Sequence, residues 1–294
     1  PLVERLKLEF PERKIQLIFC REALGKNIKV SNLIQMLTIA AHNYILVNDS
    51  DIRVPVGYLR RVIAPMESPD VGMVTCMYRG QAGASLGSRL EAIGISTEFH
   101  PGVLAARQLE GEIRFALGST LVFSRASLNA IGGLSPLVDY LADDYELGKR
   151  ISGAGFRVLL SDVVVDHYLP QYSFGEFFEH QLRWARSTRH SRPWGYAGLV
   201  LTFGAPWAVL GLIASRGAMW AWAMLLATMM LRFAVGLQVG LGVLHDRQLK
   251  RDWWLIPLRD LAGLFVWLGS YTGHTVAWRG HQFILRDGKL HSIG

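Results

Sequence analysis

The sequence predicts an α/β domain followed by membrane-spanning helices. Three observations carry that prediction. Short apolar runs alternate with helical segments over residues 1–190. One of those runs, Tyr44-Ile45-Leu46-Val47, ends abruptly in two acids, Asp49 and Asp51. Half of the 294 residues are hydrophobic (50%), and the excess lies after Gly195 rather than along the whole chain.

The charge balance excludes some partners. The formal net charge is +7, and many basic residues flank the apolar segments. Anionic phospholipid therefore fits better than nucleic acid, for which no recognition signature is present. Cys20 and Cys76 are the only cysteines; they form neither a metal-ligand spacing nor a disulfide framework, which suits a reducing compartment. The opening stretch does not read as a secretory signal peptide. It reads instead as the inside of a domain, with earlier strands expected ahead of Pro1.

Taken in order, Leu2, Leu6 and Phe10 sit at helical spacing, and Ile15–Phe19 reads as a strand. A loop opening at Gly25 leads into a helix with Leu33, Met36, Leu37 and Ala40 on one face. Lys29 and Asn32 fall within one helical turn near its start. Either they reach a phosphate or a base, or they are a solvated lysine and an asparagine cap. The run Tyr44–Val47 follows as a buried strand. If the backbone stays extended beyond it, Asp49 and Asp51 point to the same side. Two such carboxylates repel unless a cation lies between them, and hard oxygen ligands suit Mg²⁺ or Mn²⁺ shared with a substrate's phosphates. The alternative is a solvated turn or an Asx-capped helix start.

Val56–Pro65 reads as a helix and Val71–Cys76 as a strand. His100-Pro101-Gly102 breaks the pattern of residues 81–107, and His100 is either structural or functional. Gly118–Ser124 is a strand, and Arg125–Ile131 a short helix stopped by Gly132-Gly133. Asp143 and Asp144 open a helix whose apolar face is Leu147 and Ile151. Acids there are stabilised by the helix dipole, or one of them is a general base at a pocket edge. Phe156–Leu160 and Val163–Val165 read as two short strands. Ser173-Phe174-Gly175-Glu176 is a capping box. The helix it starts mixes aromatic and basic residues, as an interfacial helix does. Its Arg183 can also hold a diphosphate bidentately.

The ordered set is a Gly-x-Asn-x-Lys-Val-x-Asn loop, Asp-Ser-Asp, Asp-Asp-Tyr, and an Arg-Trp pair before the apolar segments. It resembles the ceramide glucosyltransferase family and its bacterial lipid glycosyltransferase relatives, over nearly the whole chain. The resemblance implies a GT-A nucleotide-sugar domain, incomplete at its N-terminus, followed by C-terminal transmembrane helices. It implies an inverting transfer, most simply of glucose from a UDP-sugar to ceramide, with Mg²⁺ or Mn²⁺ as cofactor. By position it makes Asp49 and Asp51 the acids that meet metal and diphosphate, Asp144 the base, and Asp143 its acidic neighbour. Lys29, Asn32, His100, Arg183 and Trp184 become substrate-binding. The family's (Gln/Arg)-x-x-Arg-Trp motif places His180, neither Gln nor Arg, at its first position. A related bacterial group transfers N-acetylglucosamine to hopanoid polyols, and the shared residues do not separate the two. A degenerate transferase kept as a membrane scaffold is the alternative of another class.

The organisation expected is therefore a catalytic domain over 1–172, an interfacial helix over 173–194, and a membrane region over 195–294. Within the last, Gly198–Ala214 and Ala218–Leu244 are long enough, or nearly so, to span a bilayer. Leu261–Ala277, preceded by Arg259-Asp260, is a shorter third candidate, partly re-entrant or lining the acceptor site. The basic loop 245–251 favours the cytoplasmic side of a bacterial inner membrane. The basic tail around Trp278-Arg279-Gly280 points to that side too, which three full spans would contradict.

Overall fold

A computed structural model describes residues 1–278 and 280–293; Arg279, one of the basic tail residues above, lies outside them. The chain begins with helix α1 (Leu2–Glu9) and, after an extended stretch, α2 (Ile28–Leu37). Strand β1 (Tyr44–Asn48) and the two-residue β2 (Ile52–Arg53) flank the acid pair, and α3 (Tyr58–Ile63) follows. Then come β3 (Val71–Gln81), α4 (Leu86–Gly94), a π-helical turn (Ile95–Phe99) and α5 (His100–Glu110). The domain is completed by β4 (Thr120–Ser124), α6 (Arg125–Ala130), α7 (Asp143–Gly153) and β5 (Arg157–Tyr168).

These strands form one mixed sheet in the order β1-β4-β3-β5-β2, with β3 and β5 parallel and the other pairs antiparallel. Side chains alternate across it, as strand geometry requires. Val74, Cys76, Tyr78, Val122 and Val165 pack on one face with Tyr58, Val62 and Met66 of α3 and its extension. Met73, Leu121 and Phe123 pack on the other with Val30 of α2, Leu128 of α6, and Leu147 and Ile151 of α7.

Four expectations for this domain change. Ile15–Phe19 is not a strand: nothing pairs with it, and the following residues tie to α2 through Ser31 and Gln35. Asp49 and Asp51 do not extend β1. The strand stops at Asn48, and a turn closes with Ile52 N donating to Asp49 O at 3.2 Å. His100-Pro101-Gly102 does not break the helix, because the π turn absorbs the missing proline N–H and α4 runs through into α5. The two strands expected after Phe156 are one strand, β5, whose register against β3 shifts between Cys76 and Met77. Such a bulge bends the ribbon, and β2 pairs with its far end at Asp166 and His167.

The capping box at Ser173 is present and starts α8 (Phe174–Ser191). Beyond it lie α9 (Pro193–Gly198), α10 (Gly204–Ala214), α11 (Met219–Leu237), the single turn α12 (Leu249–Asp252) and α13 (Ile256–Ser270). Among the described residues, one helix, Met219–Val243, is by length and composition long and apolar enough to cross a membrane. The count is two if Pro193–Thr202 and Gly204–Ala214, bent by 50°, form one span. In the third expected segment the helix, α13, has 15 residues and falls short of a spanning length. α13 buries one face on α4 and α8 and leaves Leu258, Leu261, Phe265 and Leu268 exposed on the other. Its ionisable residues face protein: Asp260 pairs with Arg232 of α11 at 2.7 Å, and Arg259 with Glu98 at 3.0 Å. Leu90, Ile93, Phe177, Leu249, Leu255 and Ile256 join these helices to the domain in one buried cluster.

After α13 the tail forms a small antiparallel sheet of β6 (Thr275–Trp278), β7 (His281–Arg286) and β8 (Lys289–Ser292). It packs on the loop before α7, with Leu141, Val276, Phe283, Leu285 and Leu290 in a shared core. The tail therefore lies against the α/β domain.

Candidate active site

The site is assembled where β1, α2 and α7 begin or end. Asn27 caps α2: its Oδ1 accepts from Val30 N at 3.1 Å. Its Nδ2 donates to Asp143 Oδ1 at 3.1 Å and to Tyr140 O at 2.7 Å. Two residues on, Lys29 reaches across to Asp49, Nζ to Oδ1 2.7 Å, and lies 3.9 Å from Asp143 Oδ2. The end of β1 is held by a small polar network. Asn48 donates to Ser119 O and Thr120 Oγ1 and accepts from the Tyr58 hydroxyl.

Three carboxylates and one ammonium thus share a partly buried space. Burial by itself would lower the Lys29 pKa, but Asp143, Asp49 and Asp144 outweigh it and hold it above its ordinary value. Burial raises Asp143, against the pull of Lys29 and Asn27. Burial also raises Asp144, and its neighbour Asp143 adds to the effect, so this carboxyl is pushed up to about 6. Gly118 faces it: a Cβ there would lie 2.9 Å from Asp144 Oδ2.

Asp51 leaves this group. It turns to His167 at the end of β5, Oδ2 to Nε2 3.3 Å. That hydrogen bond holds its carboxyl below the usual range, against an opposing effect of burial. Among the described residues, no three His, Cys, Asp or Glu side chains converge as a ready-made metal cage. Asp51 and His167 form a carboxylate–imidazole pair at the end of β5.

Arg183 sits on α8, where burial lowers its pKa and Tyr172 and Glu91 oppose that shift. Among the described residues, no hydrogen bond or ion pair occupies its guanidinium. Trp184, next to it, packs edge-on against Phe99 at 6.0 Å and flanks the domain core. Asn32 is half-buried on α2; the cap is Asn27, and the contact of Asn32 is its carbonyl, which accepts from Cys20 Sγ at 3.6 Å. His100 is fully buried (0% exposed), and its Nε2 accepts from Tyr78 N at 3.2 Å. Burial pushes it down to about 3, so it is a neutral imidazole. It sits edge-on to Tyr78, which in turn meets His167 edge-on at 5.7 Å. It supports the site from behind.

Four features escape sequence reasoning. Asn27 lies inside the Gly-x-Asn-x-Lys loop, but only its contacts reveal the grip on Asp143. His167 carries a weak signal, a histidine at the carboxyl end of a strand, where open α/β sheets bind ligands. Glu91 carries no signal: it is 3% exposed on α4 and bonds His180, Nδ1 to Oε2 3.1 Å. His180 thereby gains a partner in place of the Gln or Arg expected there, and it stacks on Tyr172 at 5.3 Å. Gly118 is visible only through its distance to Asp144.

Against known proteins, the profile of glycosyl transferase family 21 matches residues 1–291. Two curated relatives from Caenorhabditis elegans, ceramide glucosyltransferase 3 and ceramide glucosyltransferase 1, are each 23% identical over 186 residues. The match covers 63% of this chain and 40% of each relative, so the chain spans about two fifths of the length of the curated proteins it matches.

Proposed function

Because the chain belongs to glycosyl transferase family 21, we propose that it moves a sugar from a UDP-activated donor to a hydroxyl of a membrane lipid. The names of the two relatives support glucose and ceramide as the pair to test first. One observation carries the reaction type. Asp144 is a partly buried carboxyl at a helix start, pushed up to about 6, which is where a general base for neutral pH works best.

Asp144 takes the acceptor's hydroxyl proton as that oxygen attacks the anomeric carbon. The bond from that carbon to the diphosphate oxygen breaks on the opposite face, and UDP leaves. A single displacement inverts the centre, so an α-linked donor yields a β-glycoside. Arg183, whose guanidinium has no hydrogen bond or ion pair among the described residues, matches two phosphate oxygens and stabilises the leaving charge. Lys29 keeps Asp49 and Asp143 compensated and restrains the rise of Asp144. Asp51, with His167 beside it, would hold a divalent ion of the Mg²⁺ or Mn²⁺ class, the imidazole suiting Mn²⁺ better than Mg²⁺. When bound it would offset diphosphate charge. The lipid reaches the site from a bilayer that receives the exposed apolar faces of α10, α11 and α13, with the α/β domain on the cytoplasmic side.

The test offers labelled UDP-glucose and UDP-N-acetylglucosamine, with Mn²⁺, to the membrane-embedded protein in vesicles holding ceramide or a hopanoid polyol. A hexosylceramide supports the first pair. An N-acetylhexosaminyl hopanoid changes donor and acceptor but keeps the chemistry. Neither product and no UDP binding would leave a scaffold as the better account.

Two further outcomes are expected. Asp51→Asn and His167→Ala each raise the Mn²⁺ needed for half-maximal UDP binding by about tenfold or more, read by calorimetry, while Asp49→Asn changes it less. Equal effects at Asp49 and Asp51 would return the ion to those two acids. Gly118→Ala lowers kcat roughly 10–100-fold with the thermal midpoint little changed, because the flexible Asp144 carboxylate can turn aside where backbone could not. Unchanged kcat would mean Asp144 works in another rotamer.

A further inference from the structure

The tail sheet and the acid pair share one piece of backbone. Leu290 N donates to Asp139 O at 2.7 Å, and Leu141 N donates to Gly288 O at 3.0 Å. Tyr140 thereby pairs with Lys289 in antiparallel fashion and acts as a fourth strand on β8. The hairpin that presents β8 turns at Asp287 and Gly288, both at positive φ (50° and 77°), which suits a two-residue turn between twisted strands. The Lys289 ammonium lies over the Tyr140 ring at 5.3 Å. Leu141 enters the tail's own core with Leu285 and Leu290.

The opposite side of the same segment is gripped by the loop before α2. Asn27 N donates to Val138 O at 2.7 Å, Asn27 Nδ2 to Tyr140 O at 2.7 Å, and Lys26 N to Asp139 Oδ1 at 2.9 Å. Residues 138–141 are therefore clamped between the tail and the loop that carries Lys29. Two residues further on stand Asp143 and Asp144. The start of α7 is not fixed by a cap: its cap is Ala142, no side-chain cap bond is made, and the bond that reaches its first residue is the one from Asn27 to Asp143. The backbone just ahead of it is placed by the clamp.

The tail is also tied to α8. Arg186 donates to Thr275 O, and Arg189 to Ser270 O and Gly273 O. Arg183 lies one turn earlier on the same helix. The tail thus spans from the helix that carries Arg183 to the loop that leads into the acids of α7.

We infer that the C-terminal sheet is a positioning element of the catalytic apparatus, with Leu290 as its key side chain, holding residues 138–141 so that Asp144 meets the acceptor hydroxyl. The inference rests on the proposed glycosyl transfer for its kinetic part, and on geometry alone for its structural part.

The experiment uses the full chain in vesicles and compares wild type, Leu290→Ala and Leu290→Met. Hydrogen exchange is followed across residues 138–147, alongside kcat, the donor KM and the pH dependence of kcat/KM. In Leu290→Ala, exchange over 138–147 is expected to quicken at least tenfold, while β3 and α4 stay protected. Its kcat should fall at least tenfold with the donor KM within threefold. The acid limb should move down from about 6 as water reaches the loosened helix start. Leu290→Met, of similar volume, should restore all three readings. Unchanged exchange over 138–147 would overturn the inference. So would quickened exchange with kcat and the acid limb unmoved, since the sheet would then only pack. If wild type transfers no sugar, the proposed function fails, and the exchange comparison still decides whether the sheet holds the segment.

Discussion

Asp144→Asn should lower kcat by about 10²–10⁴-fold, the usual worth of a positioned general base, while UDP binding stays within about threefold. Asparagine keeps the shape and can still meet Gly118, but it has no lone pair basic enough to accept the hydroxyl proton. The wild-type pH profile should carry the same signature. Asp144 works only when ionised, and burial with its neighbour Asp143 holds its carboxyl at about 6. Below that pH the proton stays on and kcat/KM drops about tenfold per unit; above it the rate levels off. Single-turnover assays between pH 4.5 and 8 on both proteins check this. An unaltered rate in the variant, or an acid limb near an ordinary carboxylate value, would move the base elsewhere.

Lys29→Met should have the second largest effect, and it tests the electrostatics rather than the chemistry. The ammonium is the cation shared by Asp49 and Asp143. Without it, three acids share a partly buried space with no cation between them. Asp144 loses a neighbour that lowers its pKa, so the acid limb should move up from about 6. At pH 7 a larger share of the enzyme is then protonated and inactive. Stability should fall as well. Removing one partner of a fully buried pair costs about 3–5 kcal/mol; Asp49 is 42% exposed, so the loss here should be smaller. Lys29→Arg should recover part of the activity, because the charge remains. A downward shift of the acid limb in Lys29→Met would contradict this account of the cluster.

Much of the site is legible in the residues themselves. Apolar runs locate β1, β3 and β4, and the acids beginning α7 and the capping box of α8 stand where residue chemistry places them. These signals are local, each set by a few neighbours in the chain. What the residues do not carry is relational. Whether Asp49 and Asp51 share a side depends on where β1 stops, and that is set by Tyr58 and Thr120 holding Asn48. Ile15–Phe19 has the composition of a strand and lacks a neighbour to pair with. His100 has the signature of a pocket histidine and is a buried one, since its place is decided by the strand it bonds. The third apolar stretch is long enough to invite a membrane reading, yet it divides into a helix with one buried face and the first strand of a sheet. Glu91 and His167 are the partners of residues far away in sequence, and no spacing rule finds them.

The pairing of residues 139–141 with 288–290 also imposes a timetable on biosynthesis. Roughly 150 residues separate the two strands, so at ordinary synthesis rates the first waits on the order of 10 s for the second. During that wait the apolar helices leave the ribosome and can enter the lipid, whereas the segment ahead of Asp143 lacks its partner. The clamp therefore closes only after residues 288–290 have been made, behind the apolar helices, and the acid pair at the start of α7 is seated later than the strands that surround it.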